Sequence, residues 1–307
     1  MDLLYQSYKI LRRKTMRKIV LLFMILFFGF ILISCSKQVC DESLRVMTFN
    51  IRLNTPVDGP NAWPYRKEIA ASMIRFHKAD MAGLQEALKN QVDDLETLLP
   101  EYDWFGVGRD DGKEAGEFMA VFYRKDRLEV IEDSTFWLSE SPAVPTMGWD
   151  AMCYRVVTWG KFKDLRTRQT FYLFNTHFDH IGETARQESA KLLLESIDRI
   201  AGTSPVIVTG DFNATQDSEP YRIVTEGLTE NTTIKLIDTK SVSIYPHHGP
   251  NGTITWFESA NLEDNSTIDY IFIKNDVSVL LHGTLSDSFD GRFPTDHMPV
   301  LAEIFIE

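Results

Sequence analysis

The chain has 307 residues, of which 44% are hydrophobic and 12% aromatic, an ordinary globular composition with apolar mass for a sizeable core. Its formal charge is −12. That acidity disfavours non-specific binding to long polyanions, which depends on basic patches that release counterions.

Residues 1–34 stand apart from the rest. Lys9, Arg12, Arg13, Lys14, Arg17 and Lys18 form a basic region, followed by the apolar run Ile19–Ile33 and then Ser34-Cys35. Fifteen apolar residues are short for a membrane span, and the layout is that of a secretory signal. The ending Leu32-Ile33-Ser34-Cys35 resembles a bacterial lipobox, in which the Cys becomes the lipidated first residue of the mature chain. An uncleaved signal anchor is the alternative, and Met16 is a second candidate start. The expectation is therefore a signal peptide over 1–34, a tether over 35–43, and one domain over 44–307. The protein would be held by lipid on Cys35 at the extracytoplasmic side of a bacterial envelope. Without 1–34 the chain carries 26 basic and 43 acidic residues, a formal charge of −17. With Cys35 acylated, only Cys40 and Cys153 remain, and no structural disulfide is expected.

In chain order, Leu44–Ile51 reads as a strand that carries Asn50 near its end. Trp63–Lys78 has helical spacing, with Pro64 in the first turn and Ile69, Met73 and Phe76 on one face. The strand Ala79–Leu84 runs directly into Gln85 and Glu86, and Asn90–Leu99 is again helical. Phe118–Arg124 and Leu128–Trp137 are strands around a Lys125-Asp126 turn. Ser141–Asp150 is a loop, Tyr154–Phe162 a strand, and Thr170–Thr176 a strand delivering His177. The helix Thr184–Ile200 leads into Val206–Thr209, a β-branched run without alternation that suits burial on both faces. A polar loop over Ser241–Gly252 precedes strands at Thr253–Phe257 and Ile268–Ile273. Val277–Leu285 and the final strand Val300–Ile306 flank Asp296-His297.

The segment Val206–Ala214, VIVTGDFNA, is the centre of this pattern. Gly210 breaks the apolar run, and Asp211 and Asn213 follow, two apart and therefore on one side of an extended segment. An ionised Asp only accepts hydrogen bonds, whereas Asn donates and accepts, so the pair can hold and aim a water molecule. An Asp-turn closing a strand is the plain alternative. Against it stands the number of matching positions: Asn50, Glu86, His177, Asp179, Asp211, Asn213, Asp269, Asp296 and His297 all lie at or beside strand ends. Carboxylates and amide oxygens without cysteine suit Mg²⁺ or Mn²⁺. Many strands with few long helices point to packed sheets covered by helices.

The segments TFNIR (48–52), LQE (84–86), NTHFDH (175–180), GDFNA (210–214), IDYIF (268–272) and TDHMP (295–299), in this order, resemble the endonuclease/exonuclease/phosphatase superfamily. The NTHxDH form and the closing DHxP are most similar to small bacterial relatives of the nocturnin-type deadenylases. The resemblance implies an α+β fold of the deoxyribonuclease I type, a four-layer α/β/β/α sandwich. It implies Glu86 as principal metal ligand with Asn50 and Asp296 beside it. Asp211 and Asn213 would position or deprotonate the attacking water, His177 would donate to a phosphate oxygen, and His297 would flank the phosphorus with Asp269 holding its ring. The reaction implied is metal-assisted in-line attack of water on a phosphodiester or phosphomonoester. Arg52 stands where some members carry an acidic metal ligand, which favours a single Mg²⁺. Asp179 and His180 are read as catalytic supports or substrate contacts. Arg155 suits phosphate and Trp149 a flat ring, against the plain readings of a surface arginine and a core tryptophan. The substrate classes left open are nucleic acid, a phospholipid head group and a small phosphate ester, acted on by a monomer.

Two rivals bear on function. A dinuclear zinc hydrolase would need His-x-His-x-Asp-His, and Asn175 replaces the first ligand. A non-catalytic surface lipoprotein that keeps the fold as a binding module is the other.

Overall fold

The computed structural model describes residues 42–228, 234–258 and 266–307. The leader, Cys35, Cys40 and the tether up to residue 41 lie outside the described residues. In chain order the elements begin with β1 (Leu44–Asn50), α1 (Lys67–Phe76), β2 (Met81–Gln85), α2 (Lys89–Leu98), β3 (Tyr102–Phe105) and β4 (Val121–Arg124). Next come β5 (Leu128–Trp137), β6 (Val156–Asp164), β7 (Thr170–His177), α3 (Glu183–Ala201), β8 (Val206–Asp211) and α4 (Glu219–Glu226). The chain ends with β9 (Ile237–Asp238), α5 (Thr239–Val242), β10 (Asp269–Lys274), β11 (Val277–Thr284) and β12 (Val300–Ile306).

These strands form two six-stranded sheets, ordered β11-β12-β1-β2-β4-β3 and β5-β6-β7-β8-β10-β9. Each has one parallel pair near its middle, β1 with β2 and β7 with β8, joined through α1 and α3. The crossover buries those strands on both faces, which is why β2 and β8 are buried at every position. Val46, Met81 and Val121 of one sheet meet Leu173, Ile207 and Ile271 of the other in the central layer. On the outer faces, Ala70 and Ile74 of α1 and Val92 of α2 cover the first sheet, and Leu193 and Ile197 of α3 cover the second. The result is the α/β/β/α sandwich.

A polar cluster crosses the apolar central layer. Gln85 Nε2 donates to Thr48 Oγ1 at 3.1 Å and to Asn175 Oδ1 at 2.7 Å, and Thr209 Oγ1 donates to the same Asn175 oxygen at 3.0 Å. Asn175 Nδ2 donates in turn to the carbonyl of Leu84 at 2.8 Å. Thr48, Asn175 and Thr209 each lie two residues before Asn50, His177 and Asp211, and Gln85 lies one before Glu86. The cluster therefore fixes the register between the sheets at the strand ends that carry the polar residues. Gly83 makes room for it, since a Cβ there would press on Thr209 Oγ1 and Asn175 Oδ1.

Several sequence expectations shift. Trp63–Lys78 divides into a 3-10 turn at Trp63–Tyr65 and α1, because Arg66 at φ −130° breaks the helical path. Phe76, expected on the inner face, is 74% exposed at the end of α1. Thr253–Phe257 is a turn, not a strand: Trp256 and Phe257 have φ of 50° and 61°, and Ile254 pairs only in an isolated bridge with His297. The loop expected over Ser241–Gly252 starts inside α5, whose first turn is capped by Asp238 accepting from the Lys240 N–H. β3 and α4 went unforeseen. Among the described residues no helix is long and apolar enough to cross a membrane.

Candidate active site

Register brings the functional side chains together. In the second sheet His177 is paired with Asp211 across β7 and β8, and Asp211 with Asp269 across β8 and β10, so the three stand in a row at the strand ends. In the first sheet Asn50 pairs with Gln85, which puts Glu86 one step beyond the end of β2. Glu86 turns back with φ 63°, a left-handed conformation uncommon for a residue with a Cβ and characteristic of functional sites. Asp296 and His297 arrive on the loop before β12. Thr295 Oγ1 holds that loop by donating to the Asn50 carbonyl at 2.9 Å. Buried Arg66 donates to the carbonyls of Ile51, Arg52 and Pro294 and clamps it from below.

Glu86, His177, Asp211, Asn213, Asp296 and His297 line one cavity of about 510 Å³, together with Arg52, Arg109, Glu117, Arg155, His180 and Trp256, while Asn50 and Asp269 act on it through Asp211 and His297. Asp211 is buried; its Oδ1 accepts the Asn213 N–H at 3.0 Å and its Oδ2 accepts Asn50 Nδ2 at 2.9 Å. Burial, and then the charge of Asp269, push its pKa up to about 7, with His297 pulling the other way. His297 Nδ1 is 2.9 Å from Asp269 Oδ2 and 3.9 Å from Asp211 Oδ2. Burial works against its cation, but Asp269, Asp211 and Asp296 outweigh that and hold the imidazolium well above the usual histidine range. His177 behaves oppositely. Burial, reinforced by Arg155 and Arg109, lowers its pKa well below the ordinary value.

Geometry changes two of the expected roles. Asn213 Nδ2, which only donates, lies 3.0 Å from His177 Nε2, so that nitrogen accepts and the ring proton sits on the buried, unpartnered Nδ1. His177 as placed therefore orients Asn213 and does not offer a proton to a phosphate oxygen. Asn50 presents its amino group to both Glu86 Oε1, at 3.0 Å, and Asp211, while its oxygen accepts the Arg52 N–H. Its amino group is a strut between two carboxylates.

A divalent cation fits the donor set. Glu86 and Asp296 supply hard carboxylate oxygens to the cavity, and Asp269 Oδ1 is buried without a partner. Among the described residues two groups bring three ligand atoms within 4.8 Å of one another, Asp211–Asp269–His297 and Cys153–Asp179–His180. Arg52 Nη1 lies 3.9 Å from Glu86 and its Nε 3.8 Å from Asp296, while two of its nitrogens grip Asp58 at 3.1 and 3.2 Å. The guanidinium thus sets one positive charge beside Glu86 and Asp296.

Arg155 lines the cavity, donating Nε to Asp179 at 3.3 Å and Nη2 to His180 Nδ1 at 3.0 Å. Asp179 is fully buried and takes the backbone N–H groups of Met152, Ile181 and Gly182, so it orders the loop after β7 and does not touch the cavity. Trp149 sits on the 141–151 loop with its N–H on Glu140 and is not among the cavity-lining residues. The aromatic that does line it is Trp256, 59% exposed. Its positive φ is a property of the folded turn that no local pattern signals. Arg109 and Glu117 were also missed; their signal was a charged pair within and just after the glycine-rich stretch 106–116. Cys153 is free and lies at the cavity wall.

Residues 47–297 match the family described as the Endonuclease/Exonuclease/phosphatase family. A solved endonuclease/exonuclease/phosphatase from Bacteroides vulgatus is 42% identical, with a TM-score of 0.81, covering 86% of this chain and 99% of that one. A mannosyl-6-phosphatase from Bacteroides thetaiotaomicron VPI-5482 is 37% identical, with a TM-score of 0.79, covering 85% and 99%. The human nocturnin catalytic domain shares the fold at 22% identity and a TM-score of 0.66, covering 87% and 94%. The chain spans between 51% and 67% of the length of the curated relatives it matches.

Proposed function

The chain belongs to the endonuclease/exonuclease/phosphatase family, and from that membership we propose that it is a divalent-metal-dependent phosphomonoesterase acting on a small sugar phosphate. The observation that carries the reading is the convergence of Glu86, Asp296, Asp211, Asn213 and the His297–Asp269 pair on one cavity from both sheets. Asp211, with its pKa raised to about 7, accepts a proton from water near neutral pH, and Asn213 beside it orients that water. His297 donates Nδ1–H to Asp269, which turns Nε2–H toward the cavity, where it stabilises charge growing on a phosphoryl oxygen. Glu86 and Asp296 would hold one Mg²⁺ or Mn²⁺, which when bound supplies Lewis-acid stabilisation of the phosphoryl group. Arg52, reaching toward the same two carboxylates, favours one ion over two.

The sugar-phosphate class is supported by the mannosyl-6-phosphatase at 37% identity, well above the similarity to nocturnin. Mannose 6-phosphate, p-nitrophenyl phosphate and a short oligoribonucleotide, each with Mg²⁺ or EDTA, test it. Phosphate release from the monoesters should require the metal and return when it is restored. Faster turnover of the oligoribonucleotide than of any monoester would overturn the reading, and no turnover of anything would favour a binding module.

The basic region and apolar run ending at Cys35 support an extracytoplasmic, lipid-anchored location for a monomeric enzyme. Metabolic labelling with a clickable fatty acid should mark the wild-type chain and be lost in Cys35→Ser. Labelling that survives the substitution refutes the anchor.

A further inference from the structure

The cavity has two unlike walls. On one side stand Glu86, Asp211 and Asp296; the other carries two arginines, Arg109 and Arg155, only 9% and 4% exposed. Both guanidinium groups are braced from behind. Arg109 Nη1 donates to Glu117 at 2.6 Å, and Arg155 donates to Asp179 and His180. Each keeps a buried nitrogen with no hydrogen-bond partner, Nε of Arg109 and Nη1 of Arg155. Asp110 is the nearest other acid to Arg109 Nε, at 3.9 Å, too far for a hydrogen bond. An unsatisfied donor on a buried cation is costly, so each guanidinium carries hydrogen-bonding capacity that its protein partners do not use. His177 links the walls: its Nε2 is 3.6 Å from Asp211 Oδ2, and the two arginines are the charges that most reinforce its neutrality.

Resting on the phosphoesterase reading, we propose that Arg109 and Arg155 form a subsite for the third non-bridging oxygen of a phosphoryl dianion and so select phosphomonoesters over phosphodiesters. A monoester presents three charged oxygens: two would be met by His297 and by the divalent cation that Glu86 and Asp296 would hold, and the third falls to the guanidinium wall. A diester places an esterified oxygen and its carbon substituent there. That group accepts poorly and leaves the buried donors unpaired, which is the arrangement that discriminates most strongly between analogues. Carboxylate bracing holds the planar forks in place before substrate arrives, so little ordering is needed on binding.

The test uses the Mg²⁺-loaded protein and the variants Arg155→Lys and Arg109→Lys, which keep the charge and lose the planar fork. In each, kcat/KM for p-nitrophenyl phosphate should fall about a hundredfold more than for bis-p-nitrophenyl phosphate. By calorimetry, affinity for inorganic phosphate should weaken at least about tenfold, while affinity for dimethyl phosphate changes less. A monoester-to-diester ratio and a phosphate affinity both unchanged in the two folded variants would overturn the subsite. If wild type hydrolyses neither ester, the phosphoesterase reading fails, and the phosphate titration alone then decides for or against the dianion site.

Discussion

Asp211→Asn is expected to lower kcat on p-nitrophenyl phosphate by about three orders of magnitude, the loss typical of a removed general base. The substitution preserves size and removes a buried group whose proton affinity is poised near neutrality. Two effects set that poise: burial penalises the carboxylate, and Asp269, paired with it across β8 and β10, repels it further. Wild-type activity should therefore rise with pH through about 7, as Asp211 loses its proton and becomes able to accept one from water. In Asp211→Asn this limb should vanish, because nothing at that position titrates there. A kcat/KM series from acidic to mildly alkaline pH, with near-UV circular dichroism to show an intact core, measures both effects. A variant that keeps the limb and loses less than about tenfold in rate places the base elsewhere.

Glu86→Gln is expected to be nearly as damaging, but through the metal. The carboxylate takes Asn50 Nδ2 on Oε1 and the Leu53 N–H on Oε2 at 3.1 Å, which fixes its plane toward the cavity. Gln keeps the shape and removes the charge, leaving Asp296 as the remaining cavity carboxylate reached by Arg52. The Mg²⁺ concentration for half-maximal activity should rise by about a hundredfold or more, with kcat at saturating metal falling as well. A metal titration of activity, run beside thermal unfolding, separates this from a folding defect. An unchanged Mg²⁺ requirement would move the metal to the Asp211–Asp269–His297 group, the other hard-ligand cluster of the cavity.

Sequence alone located most of the strands because burial leaves a local trace. Leu128–Trp137 and Val300–Ile306 are strands with the bounds read from the sequence, and Val206–Thr209 is buried throughout, as its unbroken β-branched run implies. The same trace marked the polar residues that interrupt each run, which is why Glu86, Asp211, Asp269, Asp296 and His297 were legible as one set before any contact was known. Their division of labour was not legible. That burial and neighbouring cations lower the His177 pKa while carboxylates raise that of His297 depends on which charges face each ring, and Asp269 and Arg155 reach those rings only through strand order.

The folded chain alone decided much of the cavity lining. Arg109 and Glu117 come from an irregular stretch between β3 and β4, where no periodicity reports orientation, and Trp256 depends on two left-handed residues in succession. Trp149 shows the converse: residue type suited it to a flat ligand, yet its loop keeps it off the cavity. Hydrophobic pattern is a property of neighbours in sequence, whereas a cavity is assembled from residues such as Asn50 and Asp211, 161 positions apart, that register and loop closure bring within 2.9 Å. Most of the strands and the polar residues at their ends could be read from composition and spacing. The partners of each charged group could be fixed only by the packing of one sheet on the other.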